Sequence, residues 1–303
     1  MQTSRKVLSA MGIAGLASVA AISIGAAPSH GRHSRNVSFH GEGPVADCND
    51  LHITFDDRDA VVQAEERTIT RSEAPTLRVR ADANAGVQVQ GSEKDVYSVS
   101  LCKAAAPGSE AERLLSDIKL SFHGGELAVT GPSREDGAAT YLLVRAPRSA
   151  ALDLEVTNGP LSVYDVAGKI AAHAMNGPVS ARGCTGEMDL IAENGPVSSE
   201  DNSGRLRLRA QNGPVDVSLR GESWIGPSPG LEARAENGPV TLRIPRGYKS
   251  GVVVESTGRG PFSCASVCSE GRKTWDDDHK RVEFGSGPTM VRLSVGNGPV
   301  SVR

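Results

Sequence analysis

Four ionisable side chains could come together on one face of this chain and act on a polysaccharide. Asp153, Glu155, His173 and Asp189 lie in segments that recur every 18 residues, so they fall into neighbouring rows if each recurrence adds one layer of strands. Asp153 and Asp189 would then lie two layers, or about 9.5 Å, apart. That separation suits the two carboxyl groups of an inverting glycosidase. A solvated face of alternating charges gives similar pairs by chance, so a carbohydrate-active enzyme is an alternative interpretation.

Two insertions into the 18-residue spacing contain both Trp residues of the chain. The first holds Trp224, and the second holds Trp275 followed by an acidic run and a histidine: Asp276, Asp277, Asp278 and His279. Trp is a frequent interface anchor and sugar-stacking platform, and insertions in stacked repeats often emerge on a binding face. These residues are therefore candidates for binding. Each Trp could equally fold down over its own loop, and the acidic run is more typical of a solvated loop than of a divalent cation site. We expect both insertions on one edge, about two layers apart.

Five cysteines indicate an oxidising compartment with at least one disulfide. We expect Cys48 to pair with Cys102 and Cys264 with Cys268. Cys184 takes the place of an apolar residue in the repeat, which predicts a small buried side chain. The Cys264-x3-Cys268 spacing is weak evidence for zinc because no second ligand pair accompanies it. We therefore expect no metal site and no cofactor.

The element that must position these residues is a repeat marked by Asn-Gly-Pro. Apolar side chains alternate with polar ones before each tripeptide, and another apolar residue follows the Pro, which predicts strand, turn, strand and turn in every block. Gly supplies backbone angles closed to other residues and Pro fixes its own, so both suit a corner. The Asn side chains should stack into a ladder across successive corners. Six Asn residues form this predicted ladder: Asn158, Asn176, Asn194, Asn212, Asn237 and Asn297.

The repeat predicts an all-β fold, a single-domain β-solenoid with coils of about 18 residues. The solenoid should span residues 46–303, with regular repeats in 151–303 and one short helix in the N-terminal half near Ser109 to Asp117. The outward rows then place Arg207, Arg209 and Arg234 in a patch beside the acidic group. Ending on a strand at Val302 would leave an open edge, through which solenoid ends could self-associate.

The first 27 residues have the pattern of a secretory signal peptide, with Arg5 and Lys6 before an uncharged stretch rich in small residues. An uncleaved anchor is the alternative, and membrane contact is expected only in that case. Residues 28–45 are predicted to be a flexible linker. The net charge is −3, or about −5 without the leader. The sequence also lacks a basic stripe, which argues against nucleic acid as a partner. These features predict an exported protein, periplasmic or on the cell surface or extracellular.

The Asn-Gly-Pro-Val turns, the Gly-bounded short strands, the strand ending at Ile244-Pro245 and the closing GNGPVSVR resemble a bacterial putative-adhesin domain. The resemblance covers roughly residues 75–303. It implies a β-solenoid in an exported or membrane-tethered envelope protein, some relatives being encoded near envelope-stress systems. The family has no agreed catalytic motif, so the resemblance assigns no site residues.

The combined expectation is a non-enzymatic structural or interaction module of the cell envelope. Its partner would be an envelope protein or a glycan, bound through an exposed edge or sheet face. A carbohydrate-active β-solenoid enzyme using Asp153 and Asp189 is one alternative. A periplasmic regulator that contacts an envelope-stress sensor is the other.

Overall fold

Two large β-sheets face each other in the computed structural model, which describes residues 37–40, 43–81, 85–133, 135–265, 268 and 271–303. Strands in the first half are β1 (Val37–His40), β2 (His52–Phe55), β3 (Arg58–Asp59), β4 (Val61–Thr70), β5 (Thr76–Ala81), β6 (Ala85–Ser92), β7 (Val96–Ala105), β8 (Lys119–His123), β9 (Glu126–Thr130), β10 (Ala138–Pro147), β11 (Ala151–Asn158) and β12 (Leu161–Tyr164). Strands in the second half are β13 (Lys169–Asn176), β14 (Val179–Arg182), β15 (Thr185–Asn194), β16 (Val197–Glu200), β17 (Ser203–Asn212), β18 (Val215–Ser218), β19 (Leu231–Asn237), β20 (Val240–Arg243), β21 (Ser250–Ser256), β22 (Phe262–Cys264), β23 (Arg272–Trp275), β24 (Lys280–Phe284), β25 (Ser286–Asn297) and β26 (Val300–Val302). The helices are α1 (Ala111–Asp117) and a 3-10 turn at Cys48–Asp50.

Sheet I has eleven strands in the order β22-β26-β20-β18-β16-β14-β12-β6-β10-β7-β4. Sheet II has twelve strands in the order β23-β24-β21-β25-β19-β17-β15-β13-β11-β5-β9-β8. A third, three-stranded sheet joins β1, β2 and β3. The prediction of an all-β chain with a short helix in its N-terminal half is therefore confirmed.

Each 18-residue block places one strand in sheet II and the next in sheet I, and we call such a pair of strands a coil. Successive coils pair in parallel and in register, so that Leu152 lies opposite Ile170 and Ile170 opposite Met188. The apolar member of each alternating pair points between the sheets, where these rows are almost fully buried. Small side chains dominate one row, which contains Ala174, Ala192, Ala210 and Ala235 and lets the two sheets lie close together.

The Asn-Gly-Pro corners stack directly on one another. Each Asn side chain donates from Nδ2 to the Oδ1 of the Asn in the preceding rung, at 2.9–3.2 Å, and the ladder runs without a break through Asn158, Asn176, Asn194, Asn212, Asn237 and Asn297. Side-chain amides thus continue the pairing of the strands around the corner, and every rung keeps a partner.

Close approach of the neighbouring coil requires glycine at the corners. A Cβ on Gly177 would lie 2.0 Å from the carbonyl oxygen of Gly159, and one on Gly195 would lie 2.1 Å from that of Gly177. These two glycines are not among those with a positive φ, whereas Gly159, Gly238 and Gly298 have φ angles of +151°, +159° and +154°. The expectation that corner glycines supply angles closed to other residues therefore holds at these three corners. It is wrong at Gly177 and Gly195, where the carbonyl of the adjacent coil occupies the place of the side chain.

The C-terminal coil, β25 and β26, lies inside the stack. β26 pairs with β20 on one side and with β22 on the other, and β25 lies between β19 and β21. The expectation of an open edge at Val302 is therefore wrong. The reason is the Asn ladder, because Asn297 stacks on Asn237, whereas the β21–β22 coil has Arg259 at the corresponding place before Gly-Pro. That coil takes the terminal position.

The N-terminal end of the stack is wound differently from the repeats. β10 pairs in parallel with β6 and antiparallel with β7, and β7 pairs antiparallel with β4 along ten residues. Helix α1 packs its buried Leu114 and Leu115 against Ala105. Its N-cap is Glu110, and no side-chain hydrogen bond caps the helix.

The segment before β4 packs on the outer side of sheet I. Leu51, Ile53 and Phe55 form a second apolar cluster with residues of β7 and β10, and a disulfide joins Cys48 to Cys102 with Cα atoms 5.4 Å apart. The side chain of Gln88 both accepts from the Val45 N–H (2.9 Å) and donates to the Val45 carbonyl (2.8 Å). Part of the predicted linker, residues 28–45, is therefore ordered, since residues 37–40 pair with β2 and Val45 is bound to the sheet. Residues 28–36, 41 and 42 of that linker, and the predicted leader, residues 1–27, lie outside the described residues.

Candidate functional site

The outer face of sheet II carries the acidic group singled out as candidate catalytic residues. Arg80 reaches across from β5 and binds Asp153 at 2.9 Å and Glu155 at 3.2 Å. The pKa of Arg80 is raised, chiefly by its hydrogen bond to Asp153. Both carboxylates are therefore paired with the same guanidinium group in the structure.

The other two members of the acidic group, His173 and Asp189, have different neighbours. His173 Nε2 lies 3.2 Å from Glu193 Oε1, in the same sheet but in another row. Asp189 lies opposite Ala171 on one side and Arg207 on the other, so its row agrees with the 18-residue register. Oδ1 of Asp189 is buried without a hydrogen-bond partner in the described part of the chain. The four residues share a face, but their contacts do not join them into one site.

An arginine strip lies next to this group on β17 and β19. Arg205, Arg207 and Arg209 are exposed on alternate positions of β17, and Arg234 lies directly opposite Arg209 on β19. Within the described ranges, none of the three β17 arginines forms an ion pair, whereas Arg234 lies 4.0 Å from Glu236. We call these four residues the arginine strip.

A shallow depression borders the strip toward the Asn ladder. It is lined by residues of β13, β15, β17 and β19, including His173, Ile191, Glu193, Arg209, Gln211 and Arg234. Sequence reasoning found Arg207, Arg209 and Arg234 but missed Arg205. The signal was present, because Arg, Leu, Arg, Leu, Arg at residues 205–209 places all three arginines on the outward side of one strand.

Trp224 lies over the edge of the core and does not project from its insertion. Its indole N–H donates to the Gly204 carbonyl at 3.0 Å, its backbone N–H donates to Ser250 Oγ at 3.0 Å, and the side chain is half-buried against the core. This position fits the alternative in which Trp224 folds down over its own loop. A binding role for Trp224 would require the loop to open.

Trp275 lies on β23, an edge strand of sheet II, and is 49% exposed. Its ring centroid lies 5.5 Å from that of Phe262 on β22, so the pair closes the end of the stack. The four residues after it form the turn between β23 and β24, in which the Asp276 N–H donates to the His279 carbonyl at 2.8 Å. Asp278 binds Arg259 at 3.3 Å. Asp277 belongs to the same turn, and the described residues contain no cluster of three or more His, Cys, Asp or Glu able to hold a metal ion.

The two insertions leave the stack at corresponding places, each after a strand of sheet I. They follow β18 and β22, which are three strands apart in the order β18-β20-β26-β22. The expected spacing of about two coils is therefore too short, because the C-terminal coil lies between them. No contact joins Trp224 to Trp275 among the described residues.

The remaining cysteines form one further disulfide and one buried thiol. Cys264 is joined to Cys268, with Cα atoms 6.0 Å apart, and Cys184 is free and fully buried. Burial raises the pKa of the Cys184 thiol to about 11. The thiolate is the reactive form, so Cys184 has the properties of a core residue.

We predict that Cys184 resists a chromogenic thiol reagent at pH 8 until the protein unfolds. The native protein should not react with the reagent over minutes. The denatured, unreduced protein should release one equivalent of the coloured product per chain, because four of the five cysteines are in disulfides. Prior reduction should raise that value to five. Rapid labelling of one thiol in the native protein would contradict the burial of Cys184.

No helix in the described part of the chain combines the length and the apolar character needed to cross a membrane. No protein-family model matches the chain, and no curated protein matches it.

Several solved structures are similar to this chain in arrangement. A structure described as a putative cell adhesion protein from Clostridium sporogenes has a TM-score of 0.30 at 10% identity, covering 80% of this chain and 99% of the other. One described as a putative lipid binding protein from Parabacteroides distasonis has a TM-score of 0.36 at 9% identity, with 80% and 96% covered. A putative adhesin from Parabacteroides merdae has a TM-score of 0.34 at 9% identity, again with 80% and 96% covered. Scores and identities this low carry no argument about function.

Proposed function

We propose that the stacked coils form a β-solenoid over residues 46–303 and that this domain is an exported, non-enzymatic interaction module of the cell envelope. Its binding surface is the outer face of sheet II, and its partner is a glycan that carries carboxylate groups. The observation that supports this proposal is the arginine strip, where exposed guanidinium groups of one strand stand without an ion pair among the described residues.

The parallel register explains how such a face recognises an extended chain. Side chains of one row recur at every strand, about 4.8 Å apart, and alternate residues along a strand recur about every 6.6 Å. A planar guanidinium donates two parallel hydrogen bonds to a carboxylate, which gives direction as well as charge. The strip thus presents three guanidinium groups along β17 and a fourth on β19 beside Arg209, whereas Arg207 has Asp189 and Glu232 opposite it on the neighbouring strands.

Two features favour an acidic glycan over a protein partner. Protein interfaces are usually centred on buried aromatic or apolar anchors, and the neighbours of the strip are mostly charged or amide side chains, with Ile191 as an exception. The face is also shallow and open, as suits a ligand held by many weak polar contacts. A non-enzymatic role is consistent with the ion pairs from Arg80 to Asp153 and Glu155.

The proposal predicts that Arg207→Gln with Arg209→Gln weakens binding to a soluble polyuronate by about tenfold or more, since two charge-assisted contacts are lost. Binding should be measured by calorimetry at low and moderate salt, and the wild-type affinity should fall as salt rises. The matched control is Arg272→Gln with Lys273→Gln on β23, which removes the same charge from another exposed strand of the same sheet.

The control variant should bind within about twofold of wild type. Equal loss in both variants would show that net charge, not the arginine strip, determines binding, and an absence of binding to uronate polymers would refute the glycan assignment. A reducing-end assay on the same polymers tests the enzyme alternative separately, because new reducing ends would require catalysis.

A further inference from the structure

The edge strand β4 is the longest unpaired edge in the described part of the protein. It pairs with β7 along ten residues, Val61–Thr70, and it is the last strand of sheet I. The other edge strands of the two large sheets have three to five residues each. Nine of the ten residues of β4 are at least partly exposed, and Val61 and Val62 are 42% and 40% exposed. A long edge of this kind offers a row of free backbone donors and acceptors to another strand.

Charges on the core-facing side of β4 restrict which strand could pair with it. Glu65 lies opposite Leu101 and Arg67 opposite Val99, both residues of the main core. Glu65 also binds Lys103 at 2.7 Å, and the guanidinium of Arg67 lies 5.1 Å above the ring of Phe122. Inward charges on an edge strand disfavour pairing with an unrelated apolar strand, which would take them further out of water without adding an opposite charge.

We propose that β4 pairs antiparallel with the β4 strand of a second copy of this chain, across a two-fold axis that passes through Glu66. In this register each Glu65 lies opposite the Arg67 of the other copy, on the core-facing side. The pairing extends from Val62 to Thr70 of both copies and joins the two sheets I into one continuous sheet. Opposite charges directly across antiparallel strands attract, so the residues that disfavour other strands favour this one.

The symmetry also explains why the register is specified. A two-fold axis between antiparallel strands is perpendicular to the sheet, so the core-facing side chains of both copies lie on the same side of the joined sheet. Only registers in which one residue lies directly opposite its own copy meet this condition. A centre at Ala64 would place Glu65 opposite Gln63 and Arg67 opposite Val61, and a centre at Thr68 would place Arg67 opposite Ile69. The centre at Glu66 gives two Glu–Arg pairs and an overlap from Val62 to Thr70, at the cost of placing two Glu66 side chains opposite each other on the outer side.

Cysteine cross-linking tests this register directly. Residues on the axis face their own copies with Cα atoms about 4.5–5.5 Å apart, which is within disulfide range. Glu66 is exposed, so Glu66→Cys should fold and should form an intermolecular disulfide under mild oxidation. Thr68→Cys is the matched control, because Thr68 is exposed on the same side but would lie about 14 Å from its own copy.

Sedimentation of the unmodified protein is the second measurement, and Glu66→Gln is the second variant. The wild type should show a concentration-dependent dimer, and Glu66→Gln should dimerise about two- to fivefold more tightly because the like charges at the axis are removed. A wild type that stays monomeric at high concentration would overturn the proposal. Equal cross-linking of the Glu66→Cys and Thr68→Cys variants would overturn the register.

Discussion

Replacing Gly195 by Ala is expected to lower the free energy of unfolding by about 3 kcal/mol, the upper end of the cost of overpacking a close contact. A Cβ at this position would lie 2.1 Å from the carbonyl oxygen of Gly177. That oxygen belongs to the backbone, so it cannot turn aside as the end of a flexible side chain could. The coils would have to separate, and the hydrogen bonds from Gly177 N to Asn194 O and from Val179 N to Pro196 O would lengthen.

Guanidinium unfolding followed by circular dichroism measures this loss. Gly221→Ala is the comparison, because Gly221 has a φ of +69° but no atom within 4 Å of an added Cβ. The left-handed backbone alone should cost that variant about 1 kcal/mol. Equal losses in the two variants would contradict the assignment of close approach as the reason for glycine in the Asn-Gly-Pro corner.

The local regularity of the fold was predictable because the repeat carries its own register. An 18-residue spacing with alternating apolar residues is sufficient to place Leu152 beside Ile170 and Asp153 two strands from Asp189, and the structure has both. The order of the last coils was not predictable in the same way. β21 and β25 both alternate, and nothing in either strand alone shows that β25 pairs with β19.

The candidate site was likewise predictable only where it lies within the regular repeat. Outward rows follow from the register, so the patch of Arg207, Arg209 and Arg234 was found from the sequence. Arg80, which forms ion pairs with Asp153 and Glu155, lies on β5, outside the regular repeats. Its contact depends on the chain passing through β6 to β10 before β11 returns beside β5. Contacts between segments so far apart depend on tertiary winding, which local periodicity does not report.

The second large effect is expected at Asn202, a polar residue that is 6% exposed at the corner opposite the Asn ladder. Its Oδ1 accepts from the Cys184 N–H at 2.7 Å, and its Nδ2 donates to the Ala181 carbonyl at 2.8 Å and to Ser199 Oγ at 2.9 Å. One side chain therefore satisfies buried backbone groups of the preceding coil. In the first regular block the corresponding position is Val166, so the sequence pattern predicts that an apolar residue would fit by size.

Asn202→Val is expected to cost about 2–3 kcal/mol of unfolding free energy, because it leaves the Cys184 N–H buried without its hydrogen-bond partner and removes one contact of the Ala181 carbonyl. Ser199→Ala is the matched control. It removes only the third contact, and Ala is the native residue at the corresponding position of the preceding coil, Ala181, so it should cost less than about 1 kcal/mol. Guanidinium unfolding gives both values, and hydrogen exchange should show faster exchange of the Cys184 amide in Asn202→Val alone. If Asn202→Val were as stable as Ser199→Ala, shape rather than hydrogen bonding would hold this corner together.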